Sequence, residues 1–234
     1  MKNMAINNQV KSIIDIQFSP SKVFNEINKT PFWLIAYIFI AIGTIFIRLL
    51  YFPFLKQIFL ISWSPELAKP IAQSAKSFTI ISAALSPLYL ILKFFIIAII
   101  LWIIVQLFTL EINFKKIFSL VVHCGIITFL GSVLTLLILH LRGLDSIKNS
   151  ADIQVSLGTD LFLGNLDLSL PLKVFLSNIN LFSIWWIVLL TLGISIISKI
   201  SRTKSSFIAV FLWLFSTAIQ VGIASLQNSL AKIG

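Results

Sequence analysis

Five long apolar runs constrain this 234-residue chain more than any other feature. About 20 helical residues cross the roughly 30 Å of bilayer hydrocarbon. No water is available there to satisfy a backbone N–H or C=O, so each run must close its own hydrogen bonds as a helix. The runs predict spans over residues 32–51, 87–110, 117–141, 180–198 and 206–226. Composition agrees: 58% of the residues are hydrophobic and 11% are charged, against about 25% charged in an average soluble domain. The expected fold class is an all-α integral membrane protein, a bundle of about five transmembrane helices.

Proline and glycine mark the boundaries. Pro31 precedes the first run, at a position where helices begin. Pro87 divides the apolar stretch Phe78–Leu110, because proline lacks an N–H and clashes with the preceding turn. Pro65–Ser86 therefore reads as an amphipathic or partly inserted helix before a span from Pro87. One long, kinked and tilted helix is the open alternative. Residues 1–31 contain Asp15 and Glu26 and no apolar signal core, and read as a cytoplasmic amphipathic segment. In the 142–174 loop, Asp152-Ile-Gln-Val-Ser-Leu and Leu166-Asp-Leu-Ser-Leu-Pro-Leu alternate with period two on either side of Gly158-Thr-Asp. That pattern suggests a small extracytoplasmic hairpin, with an irregular loop as the alternative. Residues 227–234 form a short tail.

The net charge of +10 does not indicate nucleic acid, because the basic residues are scattered over short connections without a stripe or an aromatic platform. Their placement sets topology instead. Lys115 and Lys116, and then Lys199, Arg202 and Lys204, lie close to span ends, where basic residues favour the cytoplasmic side. The N-terminus is thus expected in the cytoplasm and the C-terminus outside it. The same five residues form a candidate patch for anionic lipid headgroups. Phe24, Trp33, Trp185 and Trp186 are candidate membrane-interface anchors, Phe24 as part of an apolar face with Val23, Ile27, Ile13, Ile14 and Ile16.

Chemistry-bearing residues are sparse. His123 and Cys124 are adjacent, so they diverge by about 100° around a helix, and His140 lies about 25 Å further along. No metal site follows, and His123 is expected to hydrogen-bond within the bundle, to Ser119 one turn earlier. Lys93 and Arg48 lie inside spans and are expected to snorkel to the interface. All eight acidic residues fall outside the predicted spans, and no nucleophile, zinc or phosphate-loop motif is present. The expectation is a non-enzyme without a cofactor. Thr191, Ser195 and Ser198, and Ser216, Gln220 and Ala224, form small or polar stripes that suit helix packing. His123, Thr191, Ser195 and Gln220 are candidates for an intramembrane polar groove.

Two segments resemble the prokaryotic branch of the Yip (Ypt-interacting protein) family. Ser19-Pro20-Ser21-Lys22-Val23-Phe24, followed by Thr30-Pro31-Phe32-Trp33, is similar to the P-x-x-V-F opening that leads into the first span. Asn180-Leu181-Phe182-Ser183-Ile184-Trp185, then Gly193 and Ser198-Lys199-Ile200-Ser201-Arg202, is similar to the N-x-F-S-I-W…G…S-x-x-S-R signature. The resemblance implies five spans, a cytoplasmic N-terminus, a prokaryotic cytoplasmic membrane and membership of oligomeric assemblies. The D-L-Y-G-P motif of eukaryotic relatives is absent, so small-GTPase binding is not carried over. The expected role is a scaffold or adaptor that self-associates or docks membrane proteins and organises anionic lipid. A transporter, channel or lipid-moving protein with a groove between spans three to five is the alternative.

Overall fold

A computed structural model describes residues 2–108, 112–148, 152–153, 155–159 and 169–230. Its elements are α1 (Lys2–Phe18), α2 (Pro20–Lys29), α3 (Leu34–Ser62), α4 (Pro65–Gln106), α5 (Phe114–Arg142), α6 (Leu170–Ser177), α7 (Leu181–Ser198) and α8 (Arg202–Leu230). Five of them (α3, α4, α5, α7 and α8) are long and apolar enough to cross a membrane. The protein is an all-helical integral membrane protein, with no strand among the described residues.

The helix at Pro87 differs from the division drawn there. α4 runs unbroken from Pro65 to Gln106 with Pro70 and Pro87 inside it, so the long-helix alternative holds. Proline at position 87 leaves the carbonyl of Ala83 without its usual N–H donor. The hydroxyl of Ser86 donates to that carbonyl at 2.7 Å, which removes the main reason to break the helix. Tyr37 Oη then donates to the Pro87 carbonyl at 2.9 Å and ties α3 to α4. α3 likewise continues beyond Tyr51 through Pro53 to Ser62.

α5 is the axis of the bundle. Eleven consecutive residues, Ile117 to Ile127, are buried on every side of it. A helix apolar all round must be enclosed by others, and α3, α4, α7 and the α1–α2 pair supply the enclosure. Glycines permit the closest approaches. A Cβ on Gly193 would collide with the side chain of Leu120, and one on Gly125 would meet the ring of Phe94.

The N-terminal segment docks on protein rather than lying free on lipid. Val23, Phe24 and Ile27 are fully buried in the core with Ile16. Phe24 is therefore not a lipid-facing anchor: its ring is enclosed by the bundle, where α2 packs on α7 and α5. Polar ties hold that docking. Asn28 Nδ2 donates to the Ile196 carbonyl at 3.4 Å, and Lys116 Nζ donates to Asn28 Oδ1 at 2.8 Å. The apolar stripe left exposed belongs to α1, where Ile6, Val10, Ile14 and Phe18 recur every fourth residue.

The connection after α5 contains a 3-10 turn at Leu144–Ser146 and one isolated bridge between Gly158 and Asn180. The second strand expected of a hairpin is not found at its end, because Leu170, Pro171 and Leu172 open α6. Pro171 sits in the first turn, where a missing N–H carries no penalty. The rest of that expected strand, residues 166–168, lies outside the described residues. Ile147 packs into a small core with Phe54 and Leu139, and Tyr51 Oη donates to the Ile153 carbonyl at 2.8 Å.

Candidate functional site

Alternating spans put the start of α3, the end of α4, the start of α5, the end of α7 and the start of α8 at the end that carries α1–α2. At this end, Lys11, Lys22, Lys29, Lys115, Lys116, Lys199, Arg202 and Lys204 stand against Asp15 and Glu26 among the described side chains. The opposite end has Lys56, Lys69, Lys76, Arg142, Lys148 and Lys173 against Glu66, Asp145 and Asp152. The docked end is the more positive of the two.

The α7–α8 link builds the centre of this basic face. Lys199 adopts a left-handed backbone (φ 56°) and ends α7. Ser195 Oγ donates to the Ile200 carbonyl at 2.9 Å, and Ser201 Oγ accepts from the Lys204 N–H at 3.3 Å to start α8. Lys199, Arg202 and Lys204 are all exposed, and the Lys204 ammonium lies 5.8 Å from the centre of the Phe108 ring. Lys115 is exposed beside them, whereas Lys116 is half-buried on Asn28. Asp15 pairs with Lys22 at 3.0 Å, and this hydrogen bond and charge hold the Lys22 ammonium above its ordinary pKa.

Trp33 packs edge-on against Phe118 with ring centres 5.0 Å apart. Together with Phe95, Phe114 and Phe118 it lines an apolar crevice of about 410 Å3 that has Lys115 at its edge. Trp185 and Trp186 are half-buried near the start of α7, at the far end. Asn180 caps that helix: its Oδ1 accepts from the Ser183 N–H at 2.9 Å.

The four groove candidates do not converge. His123 is fully buried, and its Nδ1–H donates to the Ser119 carbonyl at 2.8 Å. Its Nε2 faces Ser12 Oγ of α1 at 3.2 Å, and Ser12 is also within 2.6 Å of the Gln9 carbonyl. His123 thus fastens the N-terminal arm. Ser195 closes the α7–α8 link, and Thr191 is half-buried on α7. Gln220 lines a cavity of about 160 Å3 among α4, α5, α7 and α8 shared with Lys93, Thr128, Asn178, Trp186 and Ser216. The spacing of Ser216 and Gln220 could have indicated this cavity. The part of Asn178, reached through the chain turn after α6, could not be read from any periodicity.

Replacing Ser12 by alanine should loosen α1 without loosening α5. Loss of one buried hydrogen bond is worth about 1 kcal/mol, or roughly fivefold in the opening equilibrium. Amide exchange in residues 6–18 should quicken by about that factor while Ile117–Ile127 stay protected. Equal quickening in both segments would contradict the docking role of the Ser12–His123 contact.

A family model described as the Yip1 domain matches residues 14–223. No curated protein and no solved structure matches the chain.

Proposed function

The chain belongs to the Yip1 domain family, and on that premise we propose that it is a non-enzymatic membrane scaffold or adaptor of the prokaryotic type. In this reading the N-terminus and the basic face are cytoplasmic, and they dock partner membrane proteins, further copies of the chain, or anionic lipid. The observation that carries the reading is the construction of the basic half. α1 and α2 are locked onto α5 and α7, and residues Ile117 to Ile127 of α5 are buried without a gap. A closely packed half-bundle with exposed cations at its rim suits a rigid docking platform. The positive bias of this end supports the cytoplasmic assignment. The crevice of Trp33, Phe95, Phe114 and Phe118 beside Lys115 supports lipid contact, with a headgroup on the lysine and acyl chain on the aromatic rings.

One observation favours the second reading, a lipid-moving protein. The cavity bearing Gln220 also carries Lys93, Thr128, Asn178 and Ser216, and the Nε1–H of Trp213, which lines it too, is buried without an acceptor among the described residues. Reconstitution into vesicles carrying a fluorescent lipid separates the two. The scaffold reading expects lipid exchange between leaflets no faster than in protein-free vesicles. Protein-dependent exchange would transfer the assignment to the lipid-moving reading.

A further inference from the structure

Two cations, an exposed Lys93 and a half-buried Arg48, face one cavity on the flank of the bundle away from the basic face, and neither has an anion among the described residues. Arg48 lies 14 residues past Leu34, the start of α3, or about 21 Å along the helix. Lys93 lies 13 residues before Gln106, the end of α4, or about 20 Å from the same end of the bundle. The two therefore stand at one level, and they line one cavity of about 320 Å3 among α3, α4 and α5. Among the described residues neither head group has an ion-pair or hydrogen-bond partner.

The other polar groups of this cavity do not neutralise the pair. The hydroxyl protons of Thr44, Ser86, Thr128 and Ser132 already go to the carbonyls of Ile40, Ala83, Gly125 and Thr128. The free donors that remain are the guanidinium, the ammonium and the Tyr89 hydroxyl. A site of donors without an acid, holding two like charges at membrane depth, is strongly unfavourable until an anion enters. A planar guanidinium beside a point-like ammonium matches the tetrahedral oxygens of a phosphate group. Tyr89 is 62% exposed, as are its neighbours Leu88 and Leu92 to similar degrees, so this flank opens sideways towards lipid.

We propose that Arg48 and Lys93 form a phosphate-binding site that a phospholipid headgroup enters laterally between α3 and α4. The volume suits a headgroup, with the acyl chains remaining outside along the exposed apolar face of α4. The site is distinct from the basic face and stands whether or not that face docks a partner.

The test is a thermal-unfolding titration of the purified chain in neutral detergent. The probes are short-chain phosphatidic acid, the matching neutral diacylglycerol, and inorganic phosphate. The expected result is a Tm that rises with phosphatidic acid and is unmoved by diacylglycerol. With Lys199, Arg202 and Lys204 already changed to Gln, so that the basic face no longer contributes, Arg48→Gln with Lys93→Gln should still raise the half-saturating concentration at least tenfold. If the double variant does not fold, Arg48→Lys keeps the charge but loses the planar fork, and it should give an intermediate shift. A response to inorganic phosphate as strong as to the lipid would support the phosphate site and overturn the lateral lipid source. Equal stabilisation by diacylglycerol, or a titration unaltered in the Arg48 and Lys93 variants, would overturn the proposal.

Discussion

Changing Lys199, Arg202 and Lys204 together to glutamine should strip most of the preference for anionic lipid from the protein while leaving the bundle folded. Each lysine or arginine near an anionic surface contributes about 1 kcal/mol. Three exposed residues therefore represent up to about 3 kcal/mol, a change on the order of a hundredfold in relative lipid association. The loss should be read as the ratio of phosphatidylglycerol to phosphatidylcholine retained through purification. In the unmodified chain the same ratio should fall with added salt, since exposed charges are screened over about 10 Å at 0.1 M. Folding should survive because the three side chains make no ion pair among the described residues, and the elements of the link lie elsewhere. Ser195 bonds the Ile200 carbonyl and Ser201 caps α8. An unchanged lipid ratio in a folded triple variant would remove the basic face from the account.

The second large effect concerns the packing that keeps the basic half solid. Gly193 of α7 faces Leu120 of α5, and a Cβ there has no room. Leu120 is fully buried, so it has little freedom to yield. Gly193→Val should destabilise the bundle by about 1–3 kcal/mol, the usual range for overpacking a core. Adding Leu120→Ala should restore part of that loss, although Leu120→Ala alone costs about 2–5 kcal/mol. The two changes should therefore be strongly non-additive, as contacting residues are. Simple additivity in thermal unfolding would show that α5 and α7 are not apposed at this pair.

Hydropathy alone made the five helices and their order legible, because a bilayer leaves the backbone no other solution. What it could not provide were the ends. Pro87 looked like a boundary because the rule concerns the hydrogen bond that proline deletes. The compensation by Ser86, one residue earlier, depends on a side-chain rotamer. The amphipathic α2 was legible as amphipathic, but whether Phe24 would meet lipid or protein depends on a long-range fit to α5 and α7. The signature from Asn180 to Arg202 has a physical explanation at both ends. Asn180 caps the start of α7, and Ser201 caps the start of α8 after the left-handed turn at Lys199. The expected bond of His123 was found on Ser119, on its carbonyl, whereas the contact with Ser12 joins residues 111 positions apart. No local pattern signals such a pair. The same holds for Arg48 and Lys93, whose convergence depends on how α3 is set against α4.

Mass spectrometry of the protein extracted directly from its membrane into polymer nanodiscs tests the scaffold assignment most directly, since it reads bound proteins and bound lipids together. The account predicts a near-stoichiometric protein companion, or further copies of the chain, in a shell enriched in anionic lipid. Both should diminish when Lys199, Arg202 and Lys204 are glutamine. A monomer with no protein companion and a lipid shell that mirrors the bulk membrane, the same in both variants, would contradict it.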